Sequence, residues 1–189
     1  MKTINIIGDS HTGALGPRLR VLLAGNDVWF DSFPGFSTAR VLGELEKQEL
    51  RPADLTVVIL GGNDFGDRTR ERTHLLEFLA EKHAGQILWV SPAYSMDTGV
   101  DARHRLQADA QREQFELIGM DWIDSYPATQ QGHARDGVHF TSAGYDTWAA
   151  YIAKAVTRTQ RSFWPIVGWA AILGVVAGIF YKTLRLGRR

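Results

Sequence analysis

Leu55-Thr56-Val57-Val58-Ile59-Leu60-Gly61-Gly62-Asn63-Asp64 is the stretch on which the fold turns. Its first six residues are apolar on both alternating faces, with Thr56 the one exception, and rich in β-branched side chains. A strand buried on both sides belongs in the middle of a parallel sheet, because helices cover both faces of such a sheet. The glycine pair then ends it. Outward toward the N-terminus, Lys2–Ile7 reads as a short buried strand that turns at Gly8-Asp9-Ser10 into a helix over Ala14–Ala24. Val28–Asp31 is a second strand, followed by the turn Phe33-Pro34-Gly35-Phe36 and a helix from Thr38 to Leu50, stopped by Pro52. In the other direction come an amphipathic helix over Arg68–Lys82, a strand at Gln86–Val90 and a mostly polar helix over Asp101–Leu117. A short strand at Asp121–Asp124, a loop over Ser125–Arg135 and a helix over Ser142–Thr157 complete the body.

Strands that alternate with helices of roughly ten to fifteen residues predict βαβ units, a parallel sheet and right-handed crossovers. The expectation is one three-layer α/β domain over residues 1–160 with five parallel strands. At 189 residues and 44% hydrophobic the chain can bury a sizeable core. Its formal charge is zero, but Lys182, Arg185, Arg188 and Arg189 fall in a tail without acids. The body is therefore acidic by four, which argues against a nucleic-acid partner. With no cysteine, thiolate catalysis and Cys-ligated zinc are excluded. A single Lys and a short apolar run before Gly8 do not form a secretory signal peptide.

Four segments fall at predicted carboxyl ends of strands: Gly8-Asp9-Ser10, Gly35-Phe36-Ser37, Gly61-Gly62-Asn63-Asp64 and Asp136-Gly137-Val138-His139. In an open α/β sheet these ends share one rim, where ligands bind. The chemistry they can assemble is acyl transfer. A serine hydroxyl needs a base to take its proton, and imidazole suits that role at neutral pH. His139 is the candidate base for Ser10, and Asp136, three residues earlier, can orient the ring. The amides of Ser10 and Gly35 and the side-chain amide of Asn63 are candidate donors to an oxyanion.

Together, and in this order, Gly8-Asp9-Ser10, Gly35, Gly61-x-Asn63-Asp64 and Asp136-x-x-His139 resemble the four blocks of the SGNH (GDSL-type) hydrolase family. Phe140-Thr141-Ser142-Ala143-Gly144-Tyr145 resembles the family's passage into its last helix. The likeness covers about Lys2 to Ala155. It implies a flavodoxin-like sheet and hydrolysis of esters, often short acyl groups on carbohydrates or lipids, without metal or organic cofactor. By family role Ser10 is the nucleophile, His139 the base and Asp136 its orienter, with Ser10, Gly35 and Asn63 forming the oxyanion hole. His11 departs from the pattern, since leucine is common there. It reads either as a substrate contact or second proton carrier, or as a first-turn residue facing solvent or the pocket wall.

The other polar residues have plainer readings. Asp9 and Asp64 fit turn residues that hold loop backbone, although Asp64, His11 and Tyr94 are also candidate substrate contacts. Ser37 can cap a helix or bond near the oxyanion hole. His74, His83 and His104 fall on polar helix faces and read as solvated. His133 is a candidate for the cleft edge. Trp89, Trp122 and Trp148 read as core, and Tyr94 and Met96 as pocket walls. A two-metal phosphoesterase would need a dense set of His and carboxylate ligands, and no His-x-His follows Gly8-Asp9-Ser10-His11. No metal site is expected.

Phe163–Tyr181 carries no charge. As a helix rising ~1.5 Å per residue, such a run spans roughly a ~30 Å hydrocarbon core. The expectation is a single-pass membrane anchor within 161–189, with aromatic residues at both ends. Ala170, Gly174 and Gly178 recur at every fourth position, a face suited to helix–helix self-association. Basic residues on both flanks leave the orientation open. The sequence thus points to a membrane-anchored serine esterase acting on acyl esters of a glycan or lipid. An O-acyltransferase using the same site and an inactive membrane-tethered scaffold are the alternatives.

Overall fold

The computed structural model describes residues 1–82 and 84–159. Five strands, β1 (Thr3–Gly8), β2 (Asp27–Ser32), β3 (Leu55–Ile59), β4 (Gln86–Val90) and β5 (Asp121–Ile123), form one sheet in the order β2-β1-β3-β4-β5. Every pairing is parallel, with Ile6 opposite Phe30 on one side and Val57 on the other. This is the flavodoxin-like order, which reverses direction between β1 and β3 and opens a crevice at their carboxyl ends.

The helices α1 (Ser10–Leu22), α2 (Thr38–Leu45), α3 (Thr69–Glu81), α4 (Thr98–Ile118), α5 (Tyr126–Thr129) and α6 (Ser142–Thr159) divide between the two faces. The two-residue period of the strands decides which core each side chain joins. Ile4, Ile6, Val57, Ile59, Leu88 and Val90 pack with Leu15 and Leu19 of α1 and Trp148, Ile152 and Val156 of α6. Ile7, Val58, Leu60, Ile87 and Trp89 turn the other way, onto Val41, Leu45, Leu75, Leu79 and Phe115. Trp89 and Trp148 are core residues, and Trp122 packs against the second cluster.

Several bounds differ from the sequence reading, among them the start of α4 at Thr98, three residues before Asp101. Helix α1 begins at Ser10, not Ala14, because the Asp9 side chain accepts the His11 amide and caps it. Helix α2 ends at Leu45, five residues before Leu50, and the chain turns over residues 46–48. The predicted loop over Ser125–Arg135 contains α5, held by Thr129 Oγ1 donating to the Ser125 carbonyl. Among the described residues no helix is long and apolar enough to cross a membrane. The apolar run at 163–181, with Ala170, Gly174 and Gly178, lies outside the described residues, as does His83.

Candidate active site

The rim begins at the tightest point of the chain. A Cβ on Gly8 would collide with Thr12 Oγ1 and the Ile59 carbonyl, so only glycine lets β1 turn into α1 beside β3. Ser10 consequently stands at the first position of α1, where its amide has no intrahelical acceptor. Its Oγ lies 3.1 Å from His139 Nε2. His139 Nδ1–H donates to Asp136 Oδ2 at 2.7 Å, which leaves a lone pair on Nε2 to receive the serine proton. Asp136 Oδ1 also accepts the amides of Val138 and His139 at 3.0 and 2.9 Å. The bond from the His139 ring, followed by these two amides, lowers the Asp136 pKa to about 2. The carboxylate is therefore ionised at neutral pH, although the side chains of His139 and Asp136 remain 44% and 53% exposed.

Two further loops reach this point. Gly35 has φ +74° and open space where a Cβ would stand, so its backbone is open to an approaching carbonyl group. Asn63 Nδ2 donates one hydrogen to the Phe36 carbonyl at 3.3 Å, which ties its loop to that of Gly35 and leaves its second hydrogen available. Ser10, His139, Asp136, Gly35 and Asn63 thus converge on one rim. A hydroxyl with a base, an oriented base and nearby donors are the elements of nucleophilic acyl transfer.

The remaining candidates lie elsewhere. Asp64 is wholly buried, and its carboxylate accepts both the amide of Thr38 (2.8 Å) and its hydroxyl (2.7 Å). It cannot touch substrate; it pins the Asn63 loop to the start of α2. Ser37, at the N-cap position, makes no side-chain capping bond. Asp9 is buried beneath Ser10, and burial, opposed by the His11 amide, raises its pKa to about 7. His11 is buried as well, so it does not face solvent. The Tyr94 ring packs edge-on against Tyr126 and His133, and its amide donates to Thr129. His133 contributes to a cavity of about 470 Å³ together with Met96, Asp97, Arg135, Asp136 and Gly137. That cavity opens directly beside the Asp136 turn.

His104 was expected in solvent and is instead buried. Its ring lies 2.7 Å from the Ala93 carbonyl and 3.1 Å from that of Gly62. Burial lowers its pKa, against the two carbonyls, which favour the charged form. Gln107 donates to the Gly66 carbonyl and Gln111 to that of Leu60. Arg72, also fully buried, donates to Gln107 and Gln114. These residues grip the loop that carries Asn63. Sequence reasoning missed them because they are polar. The available signal was spacing: His104, Gln107, Gln111 and Phe115 form one stripe of a helix.

No model of a known protein family matches the sequence, and no curated protein matches it. Solved structures do share its fold. A carbohydrate acetylesterase family member from Sinorhizobium meliloti aligns with 84% of this chain and 98% of its own, with 21% identity and a TM-score of 0.68. The aryl esterase of M. smegmatis covers 84% of this chain and 99% of its own at 18% identity, with a TM-score of 0.64. A second carbohydrate acetylesterase from Sinorhizobium meliloti gives 15% identity and a TM-score of 0.63 over 84% of this chain. The chain has the three-layer α/β fold of these ester hydrolases.

Proposed function

We propose that the chain is a serine esterase that removes short acyl groups through an acyl-enzyme. The observation that carries this reading is the unbroken relay from Ser10 Oγ through His139 to Asp136, with contacts of 3.1 and 2.7 Å. Ser10 Oγ attacks the acyl carbon while His139 Nε2 takes its proton. The oxyanion receives hydrogen bonds from the amides of Ser10 and Gly35 and from Asn63 Nδ2. The imidazolium, balanced by Asp136, then protonates the departing alcohol. Water, deprotonated by His139, attacks the acyl-enzyme and releases the acid, returning the proton to Ser10.

The open cavity beside Asp136 supports a polar alcohol part, because Asp97, His133 and Arg135 offer hydrogen-bonding groups around it. Carbohydrate acetylesterases and an aryl esterase among structures of this fold favour a small acyl group. The apolar run at 163–181 is proposed as a membrane anchor. Helix α6 starts next to His139 at the rim and runs away from it for 18 residues, roughly 27 Å at ~1.5 Å per residue.

Ser10→Ala and His139→Ala are each expected to lower cleavage of p-nitrophenyl acetate by at least about 10³-fold while the protein stays folded. An active-serine phosphonate should label Ser10 alone. Wild-type protein that neither cleaves the ester nor takes the label would falsify the esterase reading.

A further inference from the structure

Immediately after the nucleophile stands a buried imidazole that this reaction does not use. The His11 ring is enclosed by His139 and Trp148, each 5.2 Å away between centroids, and by Phe140 and Tyr145 at 5.9 and 6.0 Å. Its Nδ1 lies 3.0 Å from the Tyr145 hydroxyl. Burial drives the His11 pKa down to about 3; His139, His104 and His133 act in the same sense, and Asp136 opposes them. The ring is therefore neutral, and with Nδ1 accepting from the phenol its own hydrogen is on Nε2. Burial raises the pKa of Tyr145 and keeps it a donor, with the Phe140 backbone acting in the opposite sense. Phe140 follows His139 in the chain. The Phe140 and Tyr145 rings, 5.5 Å apart between centroids and both against His11, thus link the residue after Ser10 to the residue after His139.

The outer half of the triad needs such support. His139 and Asp136 are about half exposed and belong to the loop between α5 and α6. A displacement of about 1 Å between nucleophile and base is enough to cost on the order of 10²-fold in rate. On the reading of the site as a serine esterase, we propose that His11 and Tyr145 form a brace that fixes the distance from Ser10 Oγ to His139 Nε2. His11 is a positioning residue. It is flat enough to lie against His139, it accepts from Tyr145, and its neutrality avoids a second cation beside the imidazolium that His139 becomes. A leucine in its place could fill the volume but could not accept the phenol's hydrogen bond.

The test uses the full chain with His11→Leu, His11→Asn and Tyr145→Phe, each checked for folding by its thermal transition. His11→Leu should lower kcat for p-nitrophenyl acetate about 10- to 100-fold with KM changed less than about twofold. Tyr145→Phe should lose less, in the same sense. His11→Asn, whose Oδ1 stands near the former Nδ1, should recover most of the loss. A folded His11→Leu protein with wild-type kcat overturns the proposal, as do Leu and Asn variants equally impaired, since volume alone would then matter. Histidine-labelled NMR gives a readout independent of turnover. The Nδ1–H resonance of the His139–Asp136 bond should broaden in His11→Leu and sharpen again in His11→Asn; an unchanged resonance in both rejects the brace. If wild-type protein cleaves no ester and Ser10 takes no label, the esterase reading fails while this comparison still decides the brace.

Discussion

The two flanks of Ser10 are built in opposite ways. On the flank of α1 and α6, the residues behind Ser10 are mainly apolar or aromatic: Leu15, Phe140, Tyr145, Trp148 and Ile152, with His11 and its phenol partner as the polar inclusion. On the flank of α4, the loop bearing Asn63 is held by hydrogen bonds to its carbonyls from Gln107 and Gln111, with His104 Nε2 3.1 Å and Arg103 Nη2 3.4 Å from the Gly62 carbonyl. Packing lies behind Ser10 and His139; hydrogen bonds hold the loop of Asn63. The difference follows from what each flank holds. His139 offers one side of its half-exposed ring to the buried His11, whereas residues 60–66 present backbone carbonyls that must be satisfied once buried. Gly61 shows how closely α4 approaches. It has φ +120°, and a Cβ there would strike Gln111 Nε2 and stand 2.9 Å from Pro92 Cγ.

This contrast can be tested from both sides. The largest expected effect is at Asn63, the proposed oxyanion donor. Asn63→Ala should reduce kcat by about 10²- to 10³-fold with little change in KM, because the lost bond strengthens as charge develops on oxygen. A loss confined to KM would instead make Asn63 a ground-state contact and weaken the division between the flanks.

Next in size is the carboxyl beneath Ser10. The Asp9 pKa is raised from 3.8 to about 7, mainly by burial. The folded protein therefore binds a proton that the unfolded chain releases, and stability falls as pH rises from about 4 to about 7. At about 1.4 kcal/mol per pKa unit, the change is a few kcal/mol. Asp9→Asn keeps an acceptor for the His11 amide and should flatten this dependence, raising Tm at pH 8 more than at pH 5. Parallel Tm–pH curves for the two proteins would exclude Asp9 as the source.

The smallest effect concerns the polar clasp. Gln111→Leu removes the donor to the Leu60 carbonyl and should cost about 1–3 kcal/mol in chemical denaturation. Activity of the folded fraction should fall as well, because the same helix secures the Asn63 loop. Loss of stability with unaltered kcat would separate the clasp from the oxyanion site.

Much of this arrangement was legible in the residues. The two-sided apolar character of Leu55–Leu60 marked the central strand, and glycine-bearing turns marked the rim on which Ser10, Gly35, Asn63, Asp136 and His139 meet. Asp136 and His139 were readable as partners because they lie three positions apart within one turn. The start of α1 precedes the onset of apolar periodicity because the His11 amide donates to the Asp9 side chain and the helix is capped there. His104 was misread for a related reason. A polar helix face looks solvated unless something polar is known to lie against it.

The sequence alone determined the alternation of strands and helices, hence the layered sheet, and the residue types on its carboxyl rim, because both depend on local period and turn chemistry. Tertiary structure decided how the polar residues are used. Asp64 joins Thr38 across 26 residues, Gln111 reaches Leu60 across 51, and His11 meets Tyr145 across 134. A polar side chain is soluble or structural according to whether its partner is water or a buried backbone group. That partner is brought to it only when the sheet closes and the helices dock.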